Sequence, residues 1–179
     1  MGLSNRAFLN LTTLEERCCP SASIFVQSGV LSISTDVYSD TVAIRDNGRG
    51  QMNVIVRDQA GGIQTLTADG ISQIDMHLRG QHDWVDIMST GPMINSLSLQ
   101  IDMGQGANDR VIVEMRQGLK LGSLNLDLSG GLGHSTVDAT IGPIDHGLFN
   151  FQDHLGDAQS NSSVHLLTLP GHGERVYVD

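Results

Sequence analysis

The 179 residues carry a formal net charge of −10, and apart from Lys120 the basic side is all arginine. That balance repels phosphate backbones and anionic lipid, which sets nucleic acid aside as a partner, and no stretch reaches the ~18 consecutive apolar residues that a membrane-inserted helix needs. At 39% hydrophobic and only 4% aromatic, the chain can bury a core, but one built from Val, Ile, Leu and Met.

Residues 1–22 form an N-terminal arm. Thr12-Thr13 can cap a short helix from about Leu11 to Arg17, with Glu15 and Glu16 in its first turn and Pro20 as its stop. The arm lacks the pattern of a standard signal peptide, because Asn10, Thr12 and Thr13 interrupt its apolar stretch. Its adjacent cysteines, Cys18 and Cys19, are poorly placed to bond to each other; cross-linking of chains, metal ligation, removal by processing and a pair of free thiols all stay open.

Residues 23–179 read as one all-β domain. Apolar residues recur there with period two, in runs at Ile24–Gln27, Val30–Ser34, Thr41–Arg45, Met52–Arg57, Ile63–Thr67, Ile74–Leu78, Trp84–Met88, Leu97–Met103, Arg110–Glu114, Leu121–Leu128, Thr136–Ile141, Leu148–Phe151, His165–Leu169 and Arg175–Val178. Between them lie corners such as Asn47-Gly48, Gly61-Gly62, Asp69-Gly70, Gly104 to Asn108 and Gly130 to Gly133, rich in residues that accept a positive φ or hydrogen-bond a turn.

The corners favour a parallel β-solenoid over the alternative, a β-sandwich. Asp83, Asp109 and His134 take the same place in three copies, with Asp157 about one step further on. Two strands and one corner per period in the twenties is the signature of stacked coils, each pairing in parallel with the next. The inward ladder comprises Met76, Leu78, Met103, Leu126 and Leu128 before the corner, then Val85, Ile87, Val111, Val113 and Val137 after it. The interval from Asp40 to Asp83 is longer and fits the period if it holds an extra turn. The arm and the tail from Pro170 to Asp179 are the candidates for covering the open ends.

Gly130-Gly131-Leu132-Gly133-His134-Ser135-Thr136-Val137-Asp138 follows the calcium-binding nonapeptide GGxGxDxUx except that Ser135 stands in place of the Asp. Asp83, Asp86 and Asp109 are therefore the candidate ligands of a calcium ion, against a simpler reading in which they hydrogen-bond the corner backbone. Seven histidines are present, and Asp145-His146 recurs as Asp153-His154, without the ligand spacing of a zinc site. No nucleophile elbow, phosphate loop or dinucleotide fingerprint occurs; paired carboxylates such as Asp83 with Asp86, or Asp102 with Asp127, are the candidates for glycoside chemistry.

The run Leu14-Glu15-Glu16-Arg17, followed by Cys18, Cys19, Pro20, Ser21 and Ala22, resembles the N-terminal LExR-type segment of large exported proteins of planctomycete-type bacteria. The stretch from Gly29 to Ile44 is similar to the degenerate haemolysin-type repeats that follow that segment. The resemblance implies an extracellular or envelope location and a structural or adhesive role. The expectation is thus a non-enzymatic surface module that assembles through open β-edges with itself or other envelope proteins, and presents wet faces to cations or glycans. A calcium-dependent carbohydrate-binding module is second, and a polysaccharide-active enzyme third.

Overall fold

The computed structural model describes residues 22–106, 108–130, 133–156 and 160–167, and the backbone of 176–178. The expected helix at Leu11 to Arg17, the cysteine pair, Asp157 and most of the tail lie outside the described residues.

Strict alternation in a chain poor in helix formers leaves each segment one face to bury and one to wet, and strands satisfy both. Fourteen form: β1 (Ser23–Gln27), β2 (Val30–Ser34), β3 (Thr41–Asp46), β4 (Met52–Arg57), β5 (Ile63–Ala68), β6 (Gln73–His77), β7 (Trp84–Ser89), β8 (Leu97–Asp102), β9 (Arg110–Met115), β10 (Ser123–Gly130), β11 (Thr136–Ile141), β12 (Leu148–Leu155), β13 (Asn161–Leu166) and β14 (Val176–Val178). They lie in two seven-stranded sheets, ordered β1-β2-β6-β8-β10-β12-β14 and β13-β11-β9-β7-β3-β4-β5.

From β6 to β14 the chain alternates between the sheets, one strand to each, and β2 and β3, β6 and β7, β8 and β9, β10 and β11, and β12 and β13 are successive turns of one coil. Every pairing among these turns is parallel. This is a β-solenoid and not a sandwich of antiparallel sheets.

Register makes the core. In the first sheet Leu31, Ile74, Leu99, Leu126 and Phe151 fall opposite one another from strand to strand. In the second, Val42, Val85, Val111 and Val137 do the same, as do Ile44, Ile87, Val113 and Ala139. All of these side chains are buried, as is every member of the expected inward ladder. Between sheets the backbone returns along a narrow third side, where Met93, Leu119 and Ile144 are bridged in parallel and buried.

Two expectations are corrected. The long interval between Asp40 and Asp83 holds no extra turn: β4 and β5 run antiparallel to β3 and extend the second sheet beyond the first turn. β1, antiparallel to β2, likewise reverses the direction of the first sheet at that end. Antiparallel strands turn the growing direction back on itself, which stops the parallel stack there. The strand expected at His165–Leu169 begins four residues earlier, at Asn161. Its polar start, Asn161-Ser162-Ser163, shows no alternation, yet pairing with Thr136, Val137 and Asp138 of β11 recruits it.

Candidate functional site

The corners that join the first sheet to the second are the most specialised part of the molecule. Asp40, Asp83, Asp109, Ser135 and Ser160 each precede the first residue of a strand in the second sheet, and those first residues pair in register. They therefore form one column, and Ser135, not His134, is the member from its turn. Aligning His134 with Asp109 is one position out, whereas the nonapeptide pattern and a constant spacing of 26 both point to Ser135. The chain settles the matter by burying Ser135 completely and leaving His134 exposed.

Three of the four steps along the column are bridged by an N–H that donates to the side chain of the next member. The Asp40 N–H donates to Asp83 Oδ1 at 2.8 Å, the Asp83 N–H to Asp109 Oδ1 at 2.9 Å, and the Ser135 N–H to Ser160 Oγ at 3.3 Å. Asp83 Oδ2 also accepts from Thr35 Oγ1 at 3.0 Å and from the Gly80 N–H at 3.3 Å. Asp83 and Asp109, each 1% exposed, are thus the hydrogen-bond acceptors that stitch one turn to the next.

Of the three candidate calcium ligands, the fold brings Asp83 and Asp109 into neighbouring turns and sets Asp86 apart. Asp86 faces outward on β7 and pairs with Arg45. Both oxygens of Asp83 are engaged by protein donors, so the three carboxylates do not build one oxygen cage; among the described residues no group of three or more His, Cys, Asp or Glu converges on a point. The carboxylates proposed for glycoside chemistry divide likewise: Asp83 is buried at the corner away from Asp86, whereas Asp102 and Asp127 share a shallow groove of about 330 Å³ with His77 on the outer face of the first sheet. There His77 Nδ1 lies 3.5 Å from Asp102.

The column carries carboxyls that resist ionisation. Burial pushes Asp109 up to about 6, with the neighbouring Asp83 charge adding to it and the Asp83 N–H opposing it. Burial does the same to Asp40, also to about 6, helped by Asp36, Asp83 and Asp58. Asp83 is raised by burial too, against the N–H of Asp40 and the Thr35 hydroxyl. A raised carboxyl keeps its proton in the folded chain where the unfolded chain has released it, so its stabilising contribution is complete below the ordinary value of 3.8 and is lost as pH rises through about 6. The midpoint of thermal unfolding is accordingly expected to fall between about pH 4 and pH 7, with Asp109→Asn flattening the dependence. A midpoint that climbs over that interval contradicts the assignment.

Outside this column the same corners shape an open groove of about 690 Å³, lined by His82, Asp83, Trp84, Asn108, Arg110, His134 and Thr136. Two repeats generate it. His82, Asn108 and His134 each stand one residue before a column member, and Trp84, Arg110 and Thr136 each stand one after it. His82 and Asn108 take left-handed backbone, with φ of 65° and 63°, which turns their side chains out of the strand path; His82 Nε2 lies 3.3 Å from Asn108 Nδ2. Arg110 lies over the Trp84 ring, 5.1 Å from its centre, and its Nη2 reaches Asp138 at 3.3 Å.

Of these groove residues, only Asp83 is among the candidate ligands that the sequence offers. The signal was there in the recurrence of His, Asn and His at a spacing of 26, one place before the acidic corner. No family model matches the chain, and no curated protein or solved structure matches it either.

Proposed function

We propose that the protein is a non-enzymatic structural and adhesive module working at the cell surface or outside it, and that it joins a second copy through the C-terminal end of its solenoid. The observation that carries this reading is the asymmetry of the two ends. At the N-terminal end β1, β4 and β5 reverse the strand direction, whereas at the other end β12 and β14 of the first sheet and β13 of the second keep the parallel direction of the stack. An end that keeps the parallel direction can continue the stack with a further strand. An end that reverses the strand direction opposite one that keeps it favours a two-fold pair of like ends over an open filament. The surface location rests on the resemblance of the N-terminal segment and of the repeats.

Light scattering after size exclusion, over a dilution series, tests the pairing. The native chain is expected to approach twice its mass of 19.2 kDa as concentration rises. Val164→Lys places a charge on the inner side of the edge strand, a common natural block to edge pairing, and is expected to hold the chain monomeric while it stays folded by circular dichroism. A native chain that is monomeric at every concentration removes the proposal.

A further inference from the structure

We infer that the groove at the stacked corners is a binding site for a neutral pyranose glycan, with the Trp84 indole as the platform for a sugar ring. The inference rests on the adhesive reading and gives that reading a ligand.

Four observations converge on it. First, Trp84 is the one tryptophan of the chain, yet it is 43% exposed, in a row whose other members, Thr41, Arg110 and Thr136, are all polar. A large indole left in water at a folding cost is best understood by what it contacts when a ligand arrives. Second, Tyr38, 59% exposed, lies on the preceding turn of the same edge, so this edge carries two exposed rings in a chain with only seven aromatic residues.

Third, beside the buried Asp83 the remaining lining consists of the polar side chains Asn108, Thr136, His82 and His134, drawn from three successive corners and held at fixed spacing by the parallel register. A flat ring with equatorial hydroxyls asks for that combination of an apolar plate and polar groups around its rim. Fourth, Arg110, the one arginine of the groove, pairs with Asp138 at 3.3 Å and lies over one face of the indole, which orients the ring and leaves its exposed remainder to a ligand. In a chain of net charge −10 that arrangement favours a neutral glycan over a uronate or sulfated one.

Because Trp84 is the only indole, its fluorescence reports this groove alone. Titrating the full chain with cellohexaose, xylohexaose and mannohexaose is expected to shift and saturate that emission with at least one of the three, and oligogalacturonate is expected to bind more weakly than the neutral sugar of choice. Calorimetry then follows variants that lack the reporter. Trp84→Ala is expected to weaken binding by about tenfold or more, as loss of a stacked ring does, and Trp84→Tyr to restore most of it. Thr136→Val, isosteric and outward, is expected to weaken it by a smaller factor while leaving unfolding unchanged.

No emission change and no heat with any of the three neutral sugars overturns the inference, as does binding that survives Trp84→Ala, or tighter binding of oligogalacturonate. The pairing of chains is read by light scattering without sugar, so failure of the glycan site and failure of the self-association are told apart.

Discussion

Gly80→Ala is expected to cost the protein most of its stability, about 3 kcal/mol or more, and to leave little folded chain at ambient temperature. A methyl on Gly80 points at the Tyr38 carbonyl oxygen of the turn before, 1.8 Å away, with Asp83 Oδ1 at 2.7 Å. No rotamer relieves a clash between a β-carbon and backbone. The same wall recurs one turn on, where a methyl on Gly106 meets the Gly80 carbonyl oxygen at 1.9 Å. Corner glycines are therefore required by the spacing of the turns, about 4.8 Å in the pairing direction. Gly61→Ala is the control: its φ is +89° but nothing lies within 4 Å, so only the backbone preference is lost, about 1 kcal/mol. Chemical denaturation of both variants checks this, and equal losses at the two positions contradict the stacked-corner account.

Asp83→Ala is expected to destabilise by about 3–5 kcal/mol at pH 7, the second largest effect, because one truncation strands three donors in a buried corner. The Asp40 N–H, the Thr35 hydroxyl and the Gly80 N–H all lose their acceptor, and Thr35 in turn positions the Arg79 N–H at 2.9 Å. Removing the carboxylate also removes a buried charge, which offsets part of the loss. Asp83→Asn separates the two contributions, since the amide oxygen keeps some of the acceptance without the charge. It is expected to fall between native and Asp83→Ala. An alanine variant as stable as the native chain at pH 7 shows that the corner bonds contribute nothing net.

How much of this was legible from residues alone follows from which forces act locally. The inward rows were readable because alternation is a local property: Val85, Ile87, Val111 and Val113 declare their face within their own strands, and all are buried. The direction of pairing was readable from the recurrence of Asp83 and Asp109, since equivalent corners 26 residues apart imply equivalent strands side by side. What lay between Asp40 and Asp83 was not, because Met52–Arg57 and Ile63–Ala68 alternate in the same way whether they start a new turn or fold back as a hairpin. Antiparallel return is chosen by the tight connection from Asp58 to Gly62, where the Asp58 carboxylate accepts the Gly62 N–H at 2.6 Å.

The position of β13 was hidden for a different reason. Ser162 and Ser163 have no strand preference of their own and become strand through pairing with β11, with Ser163 donating to Asp138 at 2.6 Å. The groove was the least visible feature, since Trp84 and Arg110 are separated by 26 positions and meet only when the turns stack. Composition offered one hint, a lone tryptophan beside an acidic corner, that only the register could interpret.

The claim on which the rest depends is that the outward residues of successive first-sheet strands stand in one row. Ser32, Asp75, Gln100, Asp127 and Gln152 are that row. With Cys18 and Cys19 replaced by serine, spin labels at Ser32→Cys and Gln152→Cys span four strand spacings, so pulsed electron–electron resonance is expected to return a single narrow backbone separation of about 19 Å after allowance for the label arms. A broad distribution, or a separation that fits strands on opposite sheets about 10 Å apart, contradicts it.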